Sequence, residues 1–599
     1  MKLFAAFGAV LLGTSALCSP VIAAPVGRHA STASADARLK ALYDAYADWD
    51  ARESGQFWNS KGELEATGQL PRVDAASQLQ REGHLKDVLA QLNAISPKQL
   101  STGEQVNEAV LRTTLESLIA DYEFRTWEMP FNSDSSFWTY LDGTQPFDDV
   151  AGYQRYIARM RDIPRFFDEQ IVNMRAGLAR GFSVPRATLN GRDKSVATFI
   201  VDDPTKSSFY KPFEKFPPNI PAAQQEQLRA DGRAAIQQSV MPAYTKLLGF
   251  IRDDYIPHTR ATLSAHDLPN GDAFYRAQIR EFTTTDMTPE QIHQLGLQEV
   301  ARIDAEMQKT MRDSGFKGTM PEFLHFLKTD PQFIAKTPDE LLGVSSYVAK
   351  RVDGVIGQHF GLLPRARFGI IPVPPALAPF YTSGRGGREN CMMNTYDLPV
   401  RPLYNIPVLT LHECEPGHGF QLGLEAEQKA LPRFRRNLYF SGMGEGWGLY
   451  SEWLGDELGI YRTPYEKFGQ ESYDMWRACR LVIDTGIHQY GWSRQQAIDY
   501  LASHTALSQH EVETEVDRYI SWPGQALAYK LGELTILKLR KEAETTLGPR
   551  FDERRFHDAI LALGSVPLTV LEDRMHAFIR EEAARKAPAA AEGHAQARP

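Results

Sequence analysis

The sequence predicts a mainly α protein, and three observations carry that reading. Apolar residues recur at three- and four-residue spacing through most of the chain from Ala33 onward, the period that gives a helix one core-facing stripe. Helix starts carry their own punctuation. Thr288-Pro289-Glu290-Gln291 supplies a threonine cap, a proline at the first helical position and a glutamine three residues after the cap; Thr337-Pro338-Asp339-Glu340 repeats the device. Third, only one region breaks the helical pattern.

In chain order, the first element is not part of the fold. Lys2, the apolar run Leu3 to Leu17, and Val21-Ile22-Ala23-Ala24 before Pro25 read as a secretory signal peptide over 1–24, cleaved after Ala23 or Ala24. Lipidation at Cys18 is the rival reading, but Leu17 is too bulky for the small residue expected before a lipidated cysteine. Ala37 to Trp49 opens the helical body. Similar patterns follow near 76–120, 150–180, 222–253, 288–314, 338–352, 468–488, 493–503, 525–547 and 553–582. The exception is Arg367-Phe-Gly-Ile-Ile-Pro-Val-Pro with Asn390-Cys-Met-Met-Asn-Thr-Tyr-Asp, β-branched or extended pieces that predict a small sheet. Between them runs the glycine-rich Thr382-Ser-Gly-Arg-Gly-Gly-Arg, whose Arg385 and Arg388 are candidate carboxylate binders. The expected organisation is an N-terminal helical part over 25–290, continuous with a catalytic part over 291–586, and a fraying tail at 587–599. No spaced repeat supports a solenoid.

Composition narrows the function. With 43% hydrophobic and 24% charged residues, the 599-residue chain is neither disordered nor a disulfide-dense mini-scaffold. A formal charge of −9 gives no electrostatic reason to expect nucleic acid or an anionic membrane as partner. No stretch after the signal peptide is long and apolar enough to span a bilayer. Cys391, Cys414 and Cys479 allow at most one disulfide and one free thiol in an oxidising compartment, so cysteine chemistry is not expected to organise the fold.

The chemistry concentrates in Leu409-Thr-Leu-His412-Glu413-Cys-Glu415-Pro416-Gly417-His418. Two histidines with a glutamate beside the first are the parts of a zinc hydrolase, in which imidazoles hold the metal and the glutamate activates water. Histidines four apart share a helix face, about 40° around the axis; six apart they diverge by about 120°. Pro416 removes a helical hydrogen bond and Gly417 accepts almost any backbone angle, so the pair is expected to break the helix and re-aim His418. Downstream, Gly442-Met-Gly-Glu445-Gly-Trp447-Gly-Leu-Tyr450-Ser-Glu452 puts two carboxylates on one helix face. One can bind the metal while the other orients a histidine.

These segments, with Arg480-Leu-Val-Ile-Asp484-Thr-Gly-Ile-His488 and Glu515-Val-Asp-Arg518-Tyr519-Ile-Ser-Trp-Pro523-Gly524-Gln525-Ala-Leu-Ala-Tyr529-Lys530-Leu-Gly532, resemble the bacterial DUF885 family over about residues 35–582. That family in turn resembles helical zinc peptidases of the angiotensin-converting-enzyme and oligopeptidase type. The resemblance implies a helical body with a deep substrate channel and one Zn2+ per chain on His412, His418 and Glu445. Glu413 would be the general base, and Glu452 the alternate ligand. His488, oriented by Asp484 one turn earlier, and Tyr519 would then be donors to developing oxyanion charge. Arg480, Arg518, Tyr529 and Lys530 are further candidates for gripping a substrate.

The expectation is therefore an exported, periplasmic or secreted metallopeptidase acting on short peptides. A zinc amidase or isopeptidase on modified amino acids or cell-wall fragments is the alternative within enzymes. A helical binding protein with a structural metal site is the alternative outside them.

Overall fold

The computed structural model describes residues 34–143, 146–375, 378 and 383–585. The expected signal peptide at 1–24, Thr382 of the glycine-rich loop and the expected tail at 587–599 lie outside them. The fold is mainly α, 68% helical with two small sheets. Both predicted caps form. Thr288 Oγ1 accepts from the Gln291 N–H (3.3 Å) while Gln291 Oε1 accepts from the Thr288 N–H (2.9 Å), starting the helix Pro289–Asp313. Thr337 Oγ1 accepts from the Glu340 N–H at 3.1 Å and starts Pro338–His359.

Two predicted helices are subdivided. The pattern near 76–120 becomes Ala75–Asn93 and Thr102–Phe124, parted at Pro97. The pattern near 222–253 becomes Ala222–Ala235 and Met241–Phe250, with single π turns at Ile236–Val240 and Ile251–Tyr255. Each π turn lies just before a proline, Pro242 or Pro257, whose missing N–H cannot join a regular α ladder.

Strands β1 (Gln56–Trp58) and β2 (Leu64–Ala66) form an antiparallel hairpin. The predicted small sheet contains β3 (Gly369–Pro372), β4 (Gly384–Arg385) and β5 (Asn390–Met393). Its order is β3-β5-β4, with β3 parallel and β4 antiparallel to β5. Four helices that follow build the site: a first histidine helix (Ile406–Glu413), a second (His418–Glu427), a glutamate helix (Ser441–Leu454) and a central helix (Pro464–His488).

The central helix is buried at every position from Phe468 to His488. It shares one core with Ile303, Phe323 and Val516. Another core joins Leu39, Leu85 and Leu111 near the N-terminus to Trp447, Leu539 and Leu571 near the C-terminus. The glutamate helix is thus held by both ends of the described chain. A third, aromatic core gathers Tyr153, Phe167, Phe213 and Tyr244. Cys391 of β5 is disulfide-bonded to Cys414, which lies between the two histidine helices, and Cys479 is a buried free thiol.

Candidate metal centre

The helix does break between the histidines. The first histidine helix ends at Glu413 and the second begins at His418. In the link, the Gly417 N–H donates to Leu411 O at 3.0 Å, folding the chain tightly back on itself. A Cβ on residue 417 would lie 1.9 Å from His412 O, so only glycine fits. The Trp447 indole N–H donates to Pro416 O at 2.8 Å and fastens the link to the glutamate helix.

The result is convergence. The His412 and His418 rings stand perpendicular, their centroids 4.7 Å apart. Glu445 Oε2 lies 3.3 Å from His418 Nε2 and 3.7 Å from His412 Nε2. Ligand atoms about 2.0–2.1 Å from a tetrahedral ion stand about 3.3–3.5 Å apart; the two contacts come within a few tenths of an ångström of this, and all three ligand atoms lie within 4.8 Å of one another, a spacing that can hold a metal ion. His412 is set from behind. Its Nδ1 donates to Glu452 Oε1 at 2.7 Å, which leaves Nε2 facing Glu445. Gly448 makes room for this ring, since a Cβ there would lie 2.6 Å from His412 Cε1. Glu452 also meets Arg477 at 3.3 Å.

The electrostatics suit a cation. Burial alone would favour neutral groups, yet His418 and His412 hold the Glu445 carboxyl well below the usual carboxylate range. Burial opposes protonation of His412, but Glu445 and Glu452 push its pKa up to about 9. A metal ion would therefore replace a proton that the site already attracts. A second His/Glu group, His359, Glu457 and Glu553, lacks this character because the Arg540 guanidinium already bonds both glutamates at 2.7 and 2.8 Å.

Glu413 lies beside the cluster with one oxygen fixed, Oε2 accepting from the Gly386 N–H at 2.6 Å. The glycine-rich segment is therefore packed onto the site. Arg385 and Arg388 on that segment are exposed. Sequence reasoning missed Tyr439, which is 48% exposed yet turns its hydroxyl inward to donate to Glu445 Oε1 at 2.9 Å. It precedes the glutamate helix, where no helical period could link it to residue 445.

The family of bacterial proteins of unknown function catalogued as DUF885 matches residues 55–575. The chain belongs to the DUF885 family. A protein from Colwellia psychrerythraea described as a "putative lipoprotein" has a similar solved structure, with 26% identity and a TM-score of 0.83 over 92% of this chain and 100% of that one. A second, from Shewanella oneidensis and described as a "putative lipoprotein of unknown function", shares the fold at 18% identity, with a TM-score of 0.66 over 91% of this chain and 100% of that one. No curated protein matches the sequence.

Several residues expected at the active site of this DUF885 protein are engaged elsewhere. Both ring nitrogens of His488 bond backbone: Nδ1 accepts from the Ala265 N–H and Nε2 donates to Tyr519 O, each at 2.9 Å. Burial lowers its pKa to about 3, so it is a neutral core histidine. Asp484 does not orient it. That carboxylate accepts from the Tyr275 hydroxyl (2.6 Å) and the Gly524 N–H (3.1 Å) instead. Lys530 is fully buried against Asp474, Glu533 and Glu299, which leaves its ammonium no charge to offer a substrate. The Tyr519 hydroxyl accepts from Trp476 Nε1 (2.9 Å) and Arg480 Nε (3.1 Å). Arg480, Arg518 and Tyr529 gather in that same buried network.

Proposed function

We propose that this protein is an exported zinc-dependent hydrolase, a metallopeptidase that cleaves short peptides. The observation that carries the reading is the convergence of two imidazole nitrogens and one carboxylate, with a second glutamate, Glu413, adjoining them. When bound, zinc would supply Lewis acidity and an open position for water, because three protein ligands leave a fourth site free. The chain's own residues supply the rest. Glu452 fixes the tautomer of His412, and Tyr439 holds the outer oxygen of Glu445. Glu413, with Oε2 pinned by Gly386, has Oε1 available to accept a proton from the attacking water and return it to the leaving amine.

Export is supported by the apolar, small-residue-terminated leader and by the description of two similar solved proteins as "putative lipoprotein". Among the described residues no helix is long and apolar enough to cross a membrane.

Elemental analysis of the purified protein together with Glu413→Gln kinetics tests the proposal. The expected result is one zinc per chain in both proteins, and a turnover loss of about 10²–10⁴-fold in the variant, the usual worth of a positioned general base. Undiminished peptide hydrolysis in a metal-free protein would sink it.

A further inference from the structure

Beside the metal cluster lies a second charged group whose hydrogen bonds are incomplete. Four guanidiniums, those of Arg401, Arg477, Arg480 and Arg518, face four carboxylates, Asp134, Glu452, Glu511 and Glu515. Glu515 alone serves two of them, at 2.9 Å from Arg480 Nη2 and 3.7 Å from Arg518 Nη1. Neutral groups fill some of the remaining valences. Arg480 Nε donates to the Tyr519 hydroxyl (3.1 Å), and Arg518 Nη2 donates to Gln525 Oε1 (2.8 Å) and the Tyr529 hydroxyl (3.2 Å). Four buried nitrogens still have no hydrogen-bond partner among the described residues: Arg401 Nε, Arg477 Nε, Arg480 Nη1 and Arg518 Nε. Arg477 is 4% and Arg480 2% exposed, so bulk water does not satisfy their open nitrogens. Buried polar groups are normally paired, and a buried cation is costly unless it is.

Aromatic rings fix the guanidiniums while leaving their edges available. Arg480 stacks over Tyr529 at 4.2 Å and over Trp476 at 4.7 Å, and Arg477 lies over Trp476 at 4.5 Å. A planar guanidinium held by its faces can still make in-plane bonds to a carboxylate. The group also adjoins the metal cluster: Arg477 meets Glu452, the partner of His412.

We infer that Arg480 and Arg518, with the Tyr529 hydroxyl, receive a carboxylate of the substrate, so that the preferred substrates are short amides bearing a free acid. The inference rests on the hydrolase reading and sharpens it. Of the six candidates for substrate recognition, these three form one site with donor nitrogens to spare, whereas Lys530 is neutralised by its own neighbours.

The test uses the full zinc-loaded chain and tripeptides prepared in three forms: free acids, C-terminal amides, and amides whose last residue is glutamate. Free acids are expected to be turned over with kcat/KM at least about tenfold above the simple amides, the scale of a charge-assisted contact. Arg518→Gln and Tyr529→Phe should remove that preference mainly through KM. If the glutamate amides match the free acids, the site takes a side-chain carboxylate, and the inference stands. Equal turnover of acids and simple amides, or a preference that survives Arg518→Gln, overturns it. If none of the three forms is cleaved, the hydrolase reading fails by itself. Binding of the same tripeptides, followed by tryptophan fluorescence, then decides the site. Saturable binding of acids that is lost in Arg518→Gln upholds the inference, and the absence of acid-selective binding refutes it.

Discussion

Glu445 and Glu452 sit two turns apart on one helix, and what each touches gives them different work. Glu445 faces both histidine Nε2 atoms, while Glu452 meets only the far nitrogen of His412 and Arg477. The seven-residue spacing made the pair legible as partners; only the fold distinguishes them. Glu445→Gln should therefore remove a ligand and abolish stoichiometric zinc. Glu452→Gln should keep the ion but bind it about 10–100-fold more weakly, as loss of an orienting partner does. Competition with a chromophoric chelator measures both, and the reverse order of effects would exchange the two roles. The same scale exposes where spacing misled. Asp484 and His488 are one turn apart, the geometry of neighbours on a helix surface. The central helix has no solvent surface there, and tertiary groups, Tyr275 and Gly524 for the one and Ala265 for the other, claim both side chains. Lys530 follows the same rule.

At the level of elements, the break between the two histidines was readable because its cause is local. Proline and glycine act through their own backbone, and the helix ends where they require. The disulfide was not readable, since three cysteines do not say which two meet. Cysteine was expected to leave the fold unorganised, yet Cys391–Cys414 ties the middle strand of the small sheet to the link between the histidine helices. That same sheet carries β4, whose neighbour Gly386 bonds Glu413. The bond thus braces the strand, Glu413 and the histidine link together. A Cys391→Ser/Cys414→Ser variant should remain folded, because three of the four hydrophobic cores contain neither residue and the fourth keeps its many other apolar members. The loop it closes has a sequence separation of 23, and freeing such a loop costs about 3 kcal/mol on chain-entropy grounds. The loss should appear locally, as faster hydrogen exchange over the histidine link and weaker zinc retention against a chelator. Unchanged exchange and metal affinity in the double variant would mean the histidine link holds its shape without the bond.

For the molecule as a whole, the mainly α class followed from hydrophobic period and caps, which are local properties summed along the chain. The way the two ends of the described chain enclose the glutamate helix did not, because the common core that holds Leu111 and Leu539 leaves no trace in either segment's pattern. That enclosure governs access. The side chains of His418 and Glu445 retain only 13% and 14% of their exposure, and His412 retains 4%. A folded substrate would have to insert an extended segment past the Tyr439 ring and the β4 edge, which means unfolding locally and losing its own stabilising contacts. A peptide of a few residues has no such structure to lose. If the site is hydrolytic, short peptides should be cleaved while a stable globular protein stays intact under the same enzyme, zinc and pH. Chemically unfolding that protein and trimming it to short fragments should restore cleavage. Mass spectrometry of the two substrates side by side makes the comparison. Cleavage of the native protein at a rate comparable to the peptides would require the Tyr439 side of the site to open widely in solution, and would contradict the enclosure even with the zinc chemistry intact.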